Sequence, residues 1–478
     1  MMKNKFFLII VSFLIGFSAF SQQDGKVWHL KDCINYALQH NPDLKSQSLN
    51  LKLSALNLKQ SKEDLLPGLN ASAGRMWNFG DKFDIYTNTF QQDRAVNDNY
   101  NLSTSVVLFS GFQKIHNIKK SKNQLSAAEA YLEKAKEDLI LNVAVAYLNV
   151  LFAGERKEAA KAQWEISKFQ MEKTRKLVQS GMLPEGNLLD VISQASSEEL
   201  NYVKAVNNYD MAVLTLKQLM NNFEPEEFVV AGLSYDVEDF PMPVANEQEL
   251  VAAALIARPE MTAARNEINV ARENLKISKG GYFPSLSLNA SLSTRYSDAY
   301  LLPDENTMKL EGMRPTAYIT ASGERVLQPV YSYETYVKPY GEQLNDNFYQ
   351  YIGLNLQIPV FNRFYVKNNT QRSKIELEKS ILKQTSVENN VRKTVQQAYL
   401  DAKAALINYR AAVNKLKALR TSFEYTRKKF DVGVLNSVDF QMAKSNFSVA
   451  ELGLIQAKYD YLFKVMILNI YLGKEFDL

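Results

Sequence analysis

The chain has 478 residues, 46% of them hydrophobic and 23% charged, with a formal net charge of +4, one cysteine and three histidines. A single cysteine, Cys33, excludes an internal disulfide framework, and His29, His40 and His116 are too scattered for a metal-ligand spacing. Basic residues read as interspersed with acidic ones, which gives no nucleic-acid partner, and past the N-terminus no run of 18 apolar residues offers a membrane-spanning helix.

Residues 1–21 have the form of a secretory signal peptide: Lys3 and Lys5, an apolar run from Phe6, and small residues at Ala19 and Ser21. The rest divides into two structural repeats, 22–222 and 247–478, joined by an acidic, proline-marked link at 223–246. Asn41-Pro42-Asp43 to Leu66-Pro67 lines up with Arg258-Pro259-Glu260 to Phe283-Pro284 at an offset of 217. Phe109–Gly181 lines up with Phe361–Gly433 at an offset of 252, so the second repeat carries 35 extra residues between Pro284 and Phe361.

Each repeat begins with a helical segment, about 30–64 and 247–281, ended by Pro67 or Pro284. A β-hairpin follows, about 67–110 in the first repeat and 284–361 in the second, where the extra residues form a long outer loop. Alternation is clear in the second hairpin: Leu286, Leu288, Ala290 and Leu292 are interleaved with Ser287, Asn289 and Ser291, and Ile352, Leu354, Leu356 and Ile358 repeat the pattern. Residues 81–99 and 297–347 read as polar loops. Long helices are expected at about 114–178 and 368–430, with Leu125, Leu132, Leu139, Ala146 and Ala153 at coiled-coil spacing. At 1.5 Å per residue such a helix is about 100 Å long. Glycine turns at Gly181 and Gly433 then lead into return helices ending near 222 and 472.

Four strands cannot close a barrel within one chain, since the smallest closed barrels need about eight. Strands that face lipid must close, because hydrocarbon leaves no water for an unpaired edge. If these strands span a membrane, two chains supply eight and three supply twelve.

These features resemble the TolC family of outer-membrane efflux proteins over essentially all of the chain past residue 21. The resemblance rests on the duplicated Asn/Arg-Pro-Asp/Glu start, the junctions at Pro67 and Pro284, and the re-entry stretches Leu108-Phe109-Ser110-Gly111-Phe112 and Pro359-Val360-Phe361-Asn362. The turn Lys429-Phe430-Asp431-Val432-Gly433-Val434-Leu435 leading to Asp439 adds to it. The resemblance implies a mainly α fold with a membrane β part: a homotrimer with a twelve-stranded barrel in outer-membrane lipid and a coiled-coil periplasmic tunnel. A periplasmic adaptor protein and an inner-membrane transporter are the implied partners, and small toxic compounds or proteins the cargo. The chain is expected to be no enzyme and to need no cofactor or metal.

By the same resemblance Asp439, six residues after Gly433, sits at a periplasmic gate position, and Asp190 is a second candidate. Asp439 reads equally as an acid in the first turn of the return helix. Gly181, Leu183, Gly433, Val434 and Leu435 match the hairpin tips where adaptors dock, although a glycine is needed at such turns anyway. Phe348, Tyr349 and Tyr351 suit an aromatic girdle at the membrane interface, and Tyr331, Tyr333, Tyr336 and Tyr340 suit packing within the loop. The competing class is a secreted coiled-coil structural or adhesive rod whose outer loops bind a surface.

Overall fold

The computed structural model describes residues 27–84, 89–224, 228–232, 241–242, 246–432, 434–435 and 437–471. The expected signal segment 1–21, most of the link 223–246 and Gly433 lie outside the described residues. The first repeat runs β1 (Val27–Trp28), α1 (Leu30–His40), α2 (Pro42–Glu63), β2 (Gly68–Asp84), β3 (Thr89–Ser110), α3 (Gln113–Gln179) and α4 (Glu185–Met220). After β4 (Val229–Val230) the second runs α5 (Glu247–Ala257), α6 (Pro259–Gly280) and β5 (Ser285–Ser297). The extra residues hold β6 (Leu301–Pro303), β7 (Lys309–Ile319), β8 (Arg325–Ser332), β9 (Thr335–Val337) and α7 (Tyr340–Asp346); β10 (Tyr349–Gln357), α8 (Tyr365–Asp431) and α9 (Ser437–Tyr471) complete the repeat.

The contacts separate two compact units: Met1–Ala55, Asn123–Asn269 and Glu378–Leu478 in one, Leu56–Lys122 and Val270–Leu377 in the other. In the first unit, the opening segment of each repeat is not the single helix expected. It breaks at Asn41-Pro42 and at Arg258-Pro259, since proline lacks the N–H that would continue the ladder and suits the first position of a new helix. Asn41 Oδ1 caps the restart by accepting from the backbone N–H groups of Asp43 and Leu44 at 2.9 and 3.1 Å. Arg258 does the corresponding job with charge. Only 4% of its side chain is exposed, its Nη1 lies 2.7 Å from Glu137, and its Nε lies 3.1 Å from Glu260. Burial raises the Glu137 pKa above its ordinary value, with the Arg258 charge pulling the other way.

The heptad positions Leu139, Ala146 and Ala153 of α3 are buried, as are Val391, Ala398 and Ala405 of α8. The two hydrophobic clusters they anchor are copies of each other: Val143, Ala37 and Leu216 in one, Val395, Ala254 and Leu468 in the other, all fully buried. An 18-residue window of α3 reaches a mean hydropathy of 1.4, with 44% of it buried within the chain. The link contributes β4, which pairs in parallel with β1. Tyr147 of α3 secures that pair by donating its hydroxyl to Ala231 O at 2.7 Å.

The second unit is built on a four-stranded antiparallel sheet in the order β10-β5-β3-β2. Its register gathers apolar side chains on one face: Leu69, Trp77 and Phe79 of β2, Leu102 and Val106 of β3, Leu288 and Leu292 of β5, and Ile352, Leu354 and Leu356 of β10. Asn, Ser, Thr and Gly dominate the other face. The residues read as a polar loop at 81–99 instead extend the first hairpin, whose pairing continues out to Asp84 and Thr89. The long loop 297–347 is likewise not a loop. It contains the ribbons β6–β9 and β7–β8 and the short helix α7, so this stretch holds four strands beyond the four expected.

α7 is tied to the outer end of the sheet. Gln343, 1% exposed, donates to Ser297 O and accepts from Ser297 N–H, both at 2.9 Å. Tyr340 donates to Asp98 at 3.1 Å, and Asp98 takes a two-point contact from Arg75 at 2.7 Å. At the other end, Gly111 and Phe112 turn the chain from β3 into α3 with φ of 61° and 62°. A Cβ on Gly111 would stand 2.2 Å from Gly280 O, so only glycine permits that approach.

Candidate functional site

Two hairpin tips carry the expected docking and gate residues. α3 ends in a Schellman turn: Met182 N–H reaches back to Leu177 O and Gly181 N–H to Val178 O, both at 2.9 Å, with Gly181 left-handed at φ 73°. The second tip repeats the long bond, from Val434 N–H to Lys429 O at 2.9 Å. Tip geometry is therefore dictated by the backbone, and the side chains it exposes are the informative part.

Of the expected set, Val434 is among the exposed side chains, and Leu183 and Leu435 are not. Leu183 and Leu435 are half-buried, whereas Met182, Val432 and Val434 are 68%, 73% and 74% exposed. A chain end with no core beneath it leaves such groups in water unless a partner covers them. The offset of 252 pairs Met182 with Val434, and the second residue of a Schellman turn is the signal that finds it; Val432, aligned with Ser180, carries no such signal.

Asp439 lies in the first turn of α9 and is half-buried. An acid is favoured there by the helix dipole, which alone accounts for an aspartate. Asp190 is exposed on α4. Above the second tip an aromatic stack closes the α8–α9 hairpin, with Phe430 and Phe440 4.4 Å apart and Phe423 and Phe447 5.4 Å apart. The first hairpin uses one stack, Trp164 on Tyr202 at 5.4 Å.

A lysine is buried between the two hairpins. Lys444 of α9 is 5% exposed, and its ammonium donates to Ser167 Oγ of α3 at 3.1 Å. Burial pushes its pKa below the ordinary lysine value, with Glu198 pulling the other way. Farther along the same helix pair, Tyr459 of α9 donates to Glu155 of α3 at 2.7 Å.

The sheet corrects the aromatic girdle. Counting by two from Ile352 puts Tyr349 and Tyr351 opposite the apolar residues, paired with Ser293 and Ser291 on the small, polar face. Tyr351 folds over Gly353 there, its hydroxyl filling the space of the missing Cβ. They therefore cannot belong to a girdle on the apolar face. Phe348 precedes the strand and is exposed. Tyr331, Tyr333, Tyr336 and Tyr340, expected to pack within a loop, keep between 39 and 48% of their surface exposed. Trp77 and Phe79 of β2, with Tyr100 of β3, are exposed aromatics on the apolar face itself. Among the described residues no three His, Cys, Asp or Glu side chains cluster as metal ligands would.

The sequence pattern of the family described as outer membrane efflux protein matches residues 33–222 and 250–474. The outer membrane protein TolC of Escherichia coli is 23% identical, an alignment covering 99% of this chain and 87% of that protein. The alkaline protease secretion protein AprF of Pseudomonas aeruginosa is 22% identical over 97% of this chain and 88% of its own length. Among solved structures, the Campylobacter jejuni CmeC outer membrane channel superposes with a TM-score of 0.73 at 19% identity, covering 93% of this chain and 85% of that one.

Proposed function

This chain belongs to the outer membrane efflux protein family and acts as an outer-membrane channel for efflux or type I secretion in a Gram-negative bacterium, and from that premise we propose that it works as a homotrimer. The observation that carries the reading is the sheet. Its apolar face is exposed across all four strands, and within the described residues β2 and β10 have no neighbour on their outer sides. Hydrocarbon accepts such a face and forbids such edges, so other copies must pair with them. Three chains give twelve strands, with the Asn- and Ser-rich face turned to water inside.

In this reading the long helices form a periplasmic tunnel, an adaptor protein docks on Met182, Val432 and Val434 at the tips, and an inner-membrane transporter supplies the cargo. Asp439 from three chains forms a ring at the entrance; like charges held close around an axis attract cations. Export of small toxic compounds and of proteins are both compatible with the relatives' names, and the conduit is the same for each.

Single-channel recording in a planar bilayer across a salt gradient tests the reading. Cation-selective openings are expected, with Asp439→Ala raising conductance and lowering the cation preference. A folded protein that extracts without detergent and never conducts contradicts the conduit and favours a secreted rod. Unchanged selectivity in Asp439→Ala removes the gate role from that residue.

A further inference from the structure

The 35 residues that the second repeat adds leave the sheet at its outer end, and the contacts of α7 show on which side. Thr294 and Tyr296 of β5 and Tyr100 and Asp98 of β3 follow Leu292 and Leu102 at period two, so all four side chains stand on the apolar side. α7 sits on them. Thr294 donates its hydroxyl to Leu344 O at 2.6 Å, the Tyr296 and Tyr340 rings lie 4.5 Å apart, and the Tyr100 and Tyr340 hydroxyls are 2.7 Å apart. The insertion is therefore rooted on the apolar side of the sheet, and not on its small, polar side.

The root also stands at a definite height. Tyr296 is ten residues beyond Leu286, where the apolar stripe of β5 begins. Ten residues span about 34 Å of strand, or about 26 Å of height at a barrel tilt of about 40°. The apolar band of an outer-membrane barrel is about 25 Å tall. The Arg75–Asp98 ion pair, in register with Tyr296, thus falls where hydrocarbon gives way to water.

A long hairpin grows from that root. Lys338 N–H donates to Tyr300 O at 3.0 Å, Lys338 O accepts from Gln343 of α7 at 2.8 Å, and the ribbons β6–β9 and β7–β8 follow. The β7–β8 pairing sorts side chains by kind. Leu310, Met313 and Pro315 stand opposite Tyr331, Pro329 and Leu327, which alternate along β8 and so share one face. Lys309, Arg314, Gln328 and Ser332 take the other face. Leu310, Met313, Leu327 and Tyr331 are between 43 and 58% exposed, and neither hydrophobic cluster of the described residues includes them. A two-stranded ribbon has no core of its own to bury such a face.

We infer that the β7–β8 ribbon lies on the outer leaflet beside the barrel, with its Leu310, Met313, Leu327 and Tyr331 face sunk among the lipid headgroups. This rests on the barrel reading above and extends it. Lipid is the occupant because the apolar side of the sheet is continuous with the root of the insertion. A segment that leaves a barrel from its lipid side, at the height of the boundary, meets headgroups first. The chemistry agrees: leucine and methionine enter the acyl boundary, a tyrosine ring suits the interface, and Lys309 and Arg314 stay with the phosphates, the division of labour of an amphipathic segment lying in that plane. Placed so, the insertion leaves the mouth of the pore uncovered.

The test is fluorescence quenching of the detergent-extracted oligomer returned to phosphatidylcholine–phosphatidylglycerol vesicles that contain a nitroxide-bearing lipid. A fluorophore is attached in turn to Leu327→Cys, Gln328→Cys and Ile352→Cys; native Cys33 is fully buried. Ile352 belongs to the apolar face of β10 and reports whether the sheet is in lipid at all. The labels at 352 and 327 should lose most of their emission to the nitroxide, whereas the label at 328 should lose it to aqueous iodide. Nitroxide quenching at 352 with position 327 open to iodide puts the ribbon in water and overturns the proposal. A label at 327 shielded from both quenchers means that a protein surface covers it, which overturns the proposal equally. No quenching at 352 removes the barrel reading, and the ribbon's place with it.

Discussion

The two repeats share helix lengths, core positions and tip turns, and differ at the points where the backbone changes direction. At the helix break the first repeat uses Asn41, a neutral cap that also donates to Leu219 O at 3.4 Å, while the second buries Arg258 among Glu137, Glu260 and the Tyr471 ring. At the turn from sheet to helix the first has Gly111 and the second Arg363, both left-handed; Gly111 is pressed against the Gly280 backbone, whereas the Arg363 side chain is exposed. The difference teaches that duplication kept the frame under burial, and that substitution was free where the second copy met different neighbours.

The largest effect is expected at the tips. Val434→Asp puts a charge on the exposed apolar tip of the second hairpin and should abolish export while the oligomer remains intact; full export would detach docking from that tip. The breaks come next. Arg258→Ala leaves two partly buried carboxylates without their cation and should destabilise by about 3–5 kcal/mol, against about 1 kcal/mol for Asn41→Ala, which loses a cap. Equal shifts in thermal unfolding would mean the two breaks are held alike after all.

At the re-entry turns, Gly111→Ala should cost more than the roughly 1–2 kcal/mol of left-handed strain, because its Cβ meets Gly280 O. Arg363→Gly should instead stabilise by about 1 kcal/mol. Opposite signs in the same unfolding assay are the signature to look for. The smallest effect concerns Lys444, the buried cation between hairpins. Its folded pKa lies below its unfolded one, so the unfolded chain binds more protons in between and stability should rise with pH through that interval. Lys444→Met should flatten the rise; an unchanged pH profile would show that the ammonium is well solvated.

Much of this frame was legible in the sequence, and the exceptions have physical causes. The offsets 217 and 252 gave the repeated helices because burial keeps heptad positions such as Leu139 and Val391 apolar. Helical spacing continues across Pro42 and Pro259 and masks the breaks there. The outer half of the first hairpin carries Asp98 and its polar neighbours, and a strand end with that composition reads as loop. Residue type suits Tyr349 and Tyr351 to a girdle, but period two from Ile352 assigns them to the other face.

On this reading the four-stranded sheet is one third of a membrane barrel. Native mass spectrometry of the complex extracted from outer membranes in detergent counts the chains directly. Three chains are predicted; a single chain, or two supplying eight strands, would contradict the account.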